Sequence, residues 1–272
     1  MSLLEERRNP ELQQCLLGIL KVIDNVCHKH NLRYYLLAGT CLGAIRHQGF
    51  IPWDDDADVG MPRRDYDKLL AHANEWLPEG YELVSSNTNP RYPYFFARIQ
   101  DARTTYILRR QFDFVGGLPV DLYPIDGMTK NTFMRCWHYI RLNFFKKLLY
   151  FCLIDPYKHG HGLRSWLPLL VRRLSSPTFL HQRLQHILAE FDYDKTTLIA
   201  DHDYKPHKGI IPKDVFGEPK TVRFEDTELT TVAQPDYYLH QLYGNYMEFP
   251  NELPPQNFRF LDLHKPYREY NQ

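Results

Sequence analysis

The chain has 272 residues, and its 33 Lys and Arg balance its 33 Asp and Glu, so the formal net charge is zero. Hydrophobic residues make up 43% and aromatic residues 14% of the chain, which is a globular composition long enough for one or two domains. The five cysteines are scattered and form no Cys-x-x-Cys pair, which argues against a disulfide framework or a zinc site.

The first predicted element is an amphipathic helix over Glu11 to Lys29. Leu12, Leu16 and Ile19 recur in it at helical spacing, as a single buried face requires. Residues 1–8, which precede it, lack the apolar core of a signal peptide. The longest apolar run, Leu148 to Ile154, is too short to cross a bilayer. We therefore expect a cytoplasmic protein.

A strand, a glycine turn and a second helix are predicted next. Tyr34 to Leu37 is a short apolar run typical of a buried strand. Gly39 and Thr40 interrupt it, and Cys41 to His47 then has helical spacing. A turn of this kind can cradle phosphate, because backbone N–H groups and the helix dipole both point at a bound anion. A tight turn without a ligand is the alternative.

Four carboxylates, those of Asp54, Asp55, Asp56 and Asp58, follow within five residues. Such a cluster is rarely folded without a cation, since like charges at this spacing repel one another. Asp56 and Asp58 alternate along a predicted strand edge and should project to the same side. Hard oxygen ligands suit Mg²⁺ or Mn²⁺. A solvated acidic loop or a calcium loop is the alternative, although the Glu that an EF-hand needs is absent.

A further acid and a basic residue lie on later predicted strands. Asp121 stands between Val120 and Leu122, and an acid in a buried strand is costly unless it is used. We expect it to bind the metal, to act as general base toward a hydroxyl, or both. Arg98 lies in a strand pattern, from whose open face it could fork two phosphate oxygens. Asp126, before Gly127, is predicted to be a turn residue.

The middle of the chain is strongly basic. From Gly127 to Ala189 there are ten Lys or Arg residues against one acid, Asp155, a net charge of +9, so the rest of the chain carries −9. The same segment has apolar and aromatic residues at helical spacing. It predicts either a helical lid with solvated cations or a patch that meets anionic lipid or a lipid-linked acceptor. No nucleic-acid motif accompanies the charge, so we expect no nucleic-acid partner.

The residues singled out above lie in a longer pattern. Residues 36–66 read LLAGTCLGAIRHQGFIPWDDDADVGMPRRDY, and three later blocks are ARIQDART at 97–104, VDLYPID at 120–126 and YGNYM at 243–247. In this order they closely resemble the LicD family of phosphocholine transferases, whose core is related to that of the fukutin-related proteins. The resemblance spans nearly the whole chain.

The resemblance implies a fold and a reaction. The fold would be nucleotidyltransferase-like, a mixed α/β sheet with flanking helices and a helical insertion. The enzyme would move phosphocholine or another phospho-alcohol from a CDP-activated donor such as CDP-choline to a glycan hydroxyl, releasing CMP. The acceptor would be a teichoic-acid precursor or another surface glycan, linked to a lipid and reached at the inner face of the membrane.

The resemblance also implies roles for individual residues. Asp56 and Asp58 match the metal-binding pair, Asp54 the acid before it, and Asp121 the later strand acid. We expect the donor pyrophosphate at the Gly39–Thr40 turn.

Other contacts are expected from residues near the acids. Arg46, His47 and Arg98 are candidate phosphate contacts. If the alcohol is choline, its quaternary ammonium needs aromatic faces, for which the candidates are Tyr237, Tyr238, Tyr243 and Tyr246.

Three regions follow from these predictions. They are a catalytic core over 1–126, a basic helical insertion over 127–195 and a C-terminal segment over 196–272 that completes the core and pocket. Two other functions use the same residues. One is a nucleotidyltransferase that releases pyrophosphate, and the other is a non-catalytic adaptor that binds metal or phosphate.

Overall fold

The computed structural model of the protein describes residues 9–108, 112, 114–157, 162–250 and 252–270. Its described helices are α1 Pro10–His30, α2 Ala38–His47, α3 Arg63–Trp76, α4 Thr132–Leu153, α5 Leu163–Leu174, α6 Pro177–Leu188, α7 Pro206–Gly209, α8 Lys213–Phe216 and α9 Pro235–Tyr243. Its strands are β1 Tyr35–Leu36, β2 Asp58–Pro62, β3 Tyr81–Val84, β4 Ala97–Leu108, β5 Val115–Met128, β6 Leu198–Asp201, β7 Ile210–Pro212, β8 Lys220–Phe224, β9 Thr227–Thr231 and β10 Phe258–Asp262.

The strands form one mixed sheet of ten strands. Its main order is β10-β4-β5-β2-β1-β9-β8, with β3 paired to β4 and β6 linking β5 to β7. The pairs β2–β5 and β1–β9 are parallel, and the described others are antiparallel. Helices flank this sheet, and α4 to α6 form a helical insertion between β5 and β6. The predicted fold class is therefore confirmed.

Helix α1 supplies a large part of the core. Asn9 caps it by accepting a hydrogen bond from the N–H of Leu12 at 3.1 Å, and Asn31 ends it in the left-handed conformation. Both are residues that tolerate these terminal conformations. Its apolar stripe is fully buried, as the spacing predicts, and the helix packs against β4, β5 and β9.

The register of three neighbouring strands positions the site. In β2 and β5, Asp58 lies opposite Asp121. In β5 and β4, Asp121 lies opposite Arg98. Residues opposite one another in a sheet project to the same face. The fold therefore sets two acids and one arginine side by side, although they are far apart in the chain.

Asp126 is not a turn residue, so that prediction was wrong. Strand β5 continues to Met128, and the Asp126 carboxylate is fully buried, bound at 2.6 and 2.8 Å by the guanidinium of Arg63. Gly127 does not break the strand. A Cβ there would lie 2.6 Å from the backbone oxygens of Phe191 and Asp192, so glycine permits a close approach of chains at this point.

Within the part of the chain that the structure describes, no helix is long and apolar enough to cross a membrane.

Candidate active site

The acidic loop between α2 and β2 is held from two sides. The side-chain amide of Gln13, on α1, donates to the carbonyl oxygens of Ile51 and Asp54, both at 3.1 Å. On the other side, the Asn257 side chain donates to Asp55 at 2.9 Å and to Asp56 at 2.6 Å. Because buried polar groups need such partners, these contacts fix the loop in one conformation.

The glycine turn lies directly against this loop. Helix α2 begins at Ala38, whose φ is +46° and whose N–H donates to the hydroxyl of Tyr238 at 3.0 Å. Its first turn has no side-chain cap. A Cβ on Gly39 would lie 3.0 Å from a carboxylate oxygen of Asp54, and the Thr40 hydroxyl accepts from the N–H of Asp58 at 2.9 Å. The turn and the acids thus form one unit.

Five carboxylates line a cavity of about 160 Å³ at this point: those of Asp55, Asp56, Asp58, Asp121 and Asp203. Two larger cavities, of about 570 and 530 Å³, each have one carboxylate among their described lining residues. The small cavity is therefore the one with the chemistry for catalysis, despite its size. Its wall also includes aromatic residues, Tyr94, Phe96, Tyr106 and Tyr123.

Arg98 binds Asp121. Its guanidinium donates to the two oxygens of that carboxylate at 2.6 and 3.0 Å, and it lies 4.5 Å from the ring centre of Tyr94. Arg98 is only 5% exposed. The Arg98 guanidinium, which we expected to bind phosphate oxygens, thus binds an acid of the site instead. A bidentate pair of this kind fixes the orientation of the carboxylate.

The remaining acids repel one another. Burial, followed by the charges of Asp55 and Asp121, raises the pKa of Asp56 to about 6. Burial and the neighbouring Asp56 raise the pKa of Asp54 and of Asp58 well above the usual range. Carboxylates that are gathered at this cost are typical of functional sites.

The donor set fits a hard divalent cation in its chemistry. Carboxylate oxygens are the ligands that Mg²⁺ and Mn²⁺ prefer, and a bound cation would offset the repulsion that raises these pKa values. Among the described residues, however, no three His, Cys, Asp or Glu side chains already converge as a metal site.

Arg46 and His47 lie at the opposite end of α2 from Gly39 and Thr40. Seven residues of helix separate them by roughly 10 Å. Arg46 donates to the carbonyl oxygen of Tyr246 at 2.7 Å, and its guanidinium lies 4.8 Å from the ring centre of Phe249. The two residues therefore fasten the C-terminal segment to α2.

The four tyrosines considered for a choline site do not form a cage together. Tyr238 is fully buried beneath α2, and Tyr246 is buried with its hydroxyl on Asp236. Tyr237 and Tyr243 are about half exposed, at 48% and 42%.

Three residues of the site were not predicted from the sequence: Gln13, Asp203 and Asn257. Gln13 and Asn257 each stand alone in their segments, without a local pattern. All three residues reach the acids only through long-range packing of α1, the chain after β6 and the chain before β10. A signal did exist for Asp203, since Asp201, His202 and Asp203 form a second polar run after an apolar strand.

Comparison with known proteins shows what this part of the chain is similar to. Residues 31–153 match the family model described as LicD/FKTN/FKRP, nucleotidyltransferase domain, which confirms the predicted resemblance. This matched range contains the glycine turn, the acidic loop, Arg98 and Asp121.

Individual relatives agree with the family match. The chain is 28% identical to the lipopolysaccharide cholinephosphotransferase LicD of Haemophilus influenzae over 266 residues, covering 89% of this chain and 92% of that protein. It is also 38% identical over 68 residues to an uncharacterized protein of Rickettsia prowazekii, and 32% identical over 120 residues to one of Rickettsia typhi. The chain spans only 24% and 36% of these two proteins.

Proposed function

We propose that this chain, in which residues 31–153 form a LicD-family nucleotidyltransferase domain, is a phosphotransferase that moves choline phosphate onto a surface glycan. The observation that carries the proposal is the register of Asp58, Asp121 and Arg98 beside the uncapped start of α2. It sets carboxylates near the start of a helix, where backbone N–H groups and the helix dipole favour an anion. The nearly full-length similarity to a cholinephosphotransferase supplies the substrate class.

The donor we propose is CDP-choline. Its pyrophosphate would lie at the backbone N–H groups of Gly39 and Thr40, where the dipole of α2 favours negative charge. We propose that Tyr106 and Tyr123, in the wall of the acidic cavity, supply ring faces to the quaternary ammonium. Because carboxylates of the cavity lie beside these rings, the choline cation would meet negative charge as well.

Asp56 and Asp58, with Asp121 and the adjacent Asp54, would hold Mg²⁺ or Mn²⁺. When bound, this cation supplies charge neutralisation for the donor phosphates and for the leaving CMP. The carboxylates alone would repel the donor, so the proposal requires the cation for productive binding.

Asp121 is the group that we assign to the acceptor. Arg98 holds its carboxylate in place through two hydrogen bonds, and we propose that this carboxylate orients the acceptor hydroxyl and takes its proton. The hydroxyl oxygen forms a bond to the phosphorus that bears choline, and the bond from that phosphorus to CMP breaks. In-line attack of this kind depends on positioning and on charge stabilisation.

The acceptor class follows from the similarity alone. The Haemophilus influenzae relative is named for lipopolysaccharide, and we propose a glycan hydroxyl of lipopolysaccharide or of a teichoic-acid precursor for this chain. A cytoplasmic enzyme at the inner face of the membrane would meet such an acceptor on its lipid carrier.

Turnover with a donor panel tests the proposal. Purified protein is incubated with CDP-choline, CDP-ribitol or CDP-glycerol, a divalent cation and a glycan acceptor, and the nucleotide products are separated. We expect CMP with CDP-choline and none from Asp58→Asn. Pyrophosphate release from a nucleoside triphosphate would instead support nucleotide transfer, and cation binding without any turnover would support an adaptor.

A further inference from the structure

Helix α4 is apolar on both sides. Its inner side buries His138, Tyr139, Leu142, Leu149 and Cys152. Its outer side exposes four large apolar residues at intervals of four, three and four, which places them along one stripe. They are Phe133, Trp137, Ile140 and Phe144, and they are 81%, 54%, 54% and 57% exposed. A helix that is apolar all round is normally covered on all sides, so the outer stripe requires a partner.

The next helix repeats this arrangement. In α5, Trp166 is 54% exposed and Leu174 is 72% exposed. Arg172 and Arg173, in its last turn, are also exposed. The two helices pack against each other. Large apolar side chains next to exposed arginines are the composition of a helix that lies in a membrane interface.

The net charge of the helical insertion indicates the kind of surface that it binds. The segment from 127 to 189 carries +9, whereas the rest of the chain carries −9. On α4, Lys147 is exposed beyond the stripe, whereas Arg141, next to the Trp137 ring, is paired with Glu190. An anionic surface would attract this side of the molecule and repel the acidic remainder. Two copies meeting at this face would bring like charges together, which disfavours a symmetric dimer.

We infer that the outer stripe of α4 and the exposed residues of α5 dock the protein on an anionic lipid bilayer. The helices lie in the interface plane, with aromatic rings among the acyl chains and Lys and Arg at the phosphates. Docking orients the molecule on the membrane without a spanning segment. The inference depends on no step of the transfer reaction, so its failure would leave the proposed function untouched.

Vesicle co-sedimentation tests this inference. The full chain is mixed with vesicles of phosphatidylcholine alone or with roughly one-third phosphatidylglycerol, at low and high salt. The test variant is Trp137→Ser with Phe144→Ser, which removes two exposed rings. The control is Phe260→Ser, an aromatic on β10 that is 39% exposed. Thermal unfolding establishes that all three proteins are folded.

We expect the wild type to bind the anionic vesicles and to release them at high salt. The double variant should bind at least about tenfold more weakly, because each ring loses its transfer to the acyl region, while Phe260→Ser binds as the wild type does. Transfer to a water-soluble acceptor should be unchanged in the double variant. Equal binding by the double variant and the wild type would overturn the inference. A dimer in sedimentation equilibrium that the double variant dissociates would also overturn it, in favour of a second copy as the partner.

Discussion

Individual residues of the site differ in how visible they are in the sequence. The run from Asp54 to Asp58 stands out by charge density alone. Asp121 stands out because it interrupts a buried strand. Asp203 and Asn257 could not be recognised in the same way, because only the packed structure brings them to the acids. Asp126 was misread since its partner, Arg63, lies on another element.

The Arg98–Asp121 pair should be important for stability. Removal of one partner from a buried ion pair leaves the other without compensation. We predict that Arg98→Gln lowers the free energy of unfolding by about 3 kcal/mol in urea titration. The matched control is Arg103→Gln, since Arg103 pairs with Asp101 but its side chain is 59% exposed. This variant should lower the free energy of unfolding by less than about 1 kcal/mol. Equal losses of unfolding free energy in the two variants would show that the buried pair stabilises the protein no more than the exposed pair does.

Asp203 should contribute to activity although it lies outside residues 31–153, which match the family model. Its carboxylate lines the acidic cavity, so its removal changes the local charge without disturbing the core. We predict that Asp203→Asn lowers kcat on the order of tenfold or more, with an unchanged melting temperature. Asp226→Asn, at an exposed pair with Lys21, is the control and should keep full activity. An active Asp203→Asn enzyme would remove this residue from the site.

At the scale of elements, the order strand, turn, helix, acidic loop, strand was predictable from the sequence. The positions of the ends were not. Helix α2 was expected from Cys41 but begins at Ala38, so Gly39 and Thr40 lie within its first turn. The cause is tertiary: the Tyr238 hydroxyl, 200 residues away in the chain, accepts from the Ala38 N–H and supports its positive φ. Local pattern carries no information about such a contact.

The role of Gly39 can be tested against a second helical glycine. Alanine at position 39 would press on the Asp54 carboxylate, whereas helix propensity favours alanine by up to about 1 kcal/mol. We predict that Gly39→Ala loses activity on the order of a hundredfold but is at least as stable as the wild type. At Gly18, in α1, a Cβ would meet only the Tyr81 hydroxyl at an ordinary 3.7 Å. Gly18→Ala should therefore gain stability and keep activity, and a shared loss of activity would contradict this account.

At the scale of the whole molecule, the acids oppose folding. Their pKa values are raised by burial and mutual repulsion, so their ionisation costs stability. Asp56 has a pKa of about 6 in the folded protein and a pKa near 4 in the unfolded chain. Its contribution to stability is therefore fully present below about pH 4. That contribution is lost as the pH rises through 6. The site is thus costly at neutral pH, which is a common compromise between stability and function.

A divalent cation should reverse this cost. In EDTA at neutral pH, we predict that Asp56→Asn melts at a higher temperature than the wild type. A gain of about 1 kcal/mol corresponds to roughly 2–4 °C in a protein of this size. Addition of Mn²⁺ should raise the melting temperature of the wild type and have little effect on the variant. If Mn²⁺ shifts both proteins equally, the acids do not bind it.

The most direct test of the central claim follows one phosphorus atom. CDP-choline labelled at the phosphate next to choline, or separately at the phosphate next to cytidine, is incubated with enzyme, cation and glycan acceptor. Choline phosphate transfer predicts that the label next to choline enters the glycan and that the label next to cytidine is released in CMP. In the Asp58→Asn variant, we expect no label in the glycan and no CMP. Entry of the label next to cytidine into the glycan would contradict the claim, because the nucleotide itself would then be the transferred group.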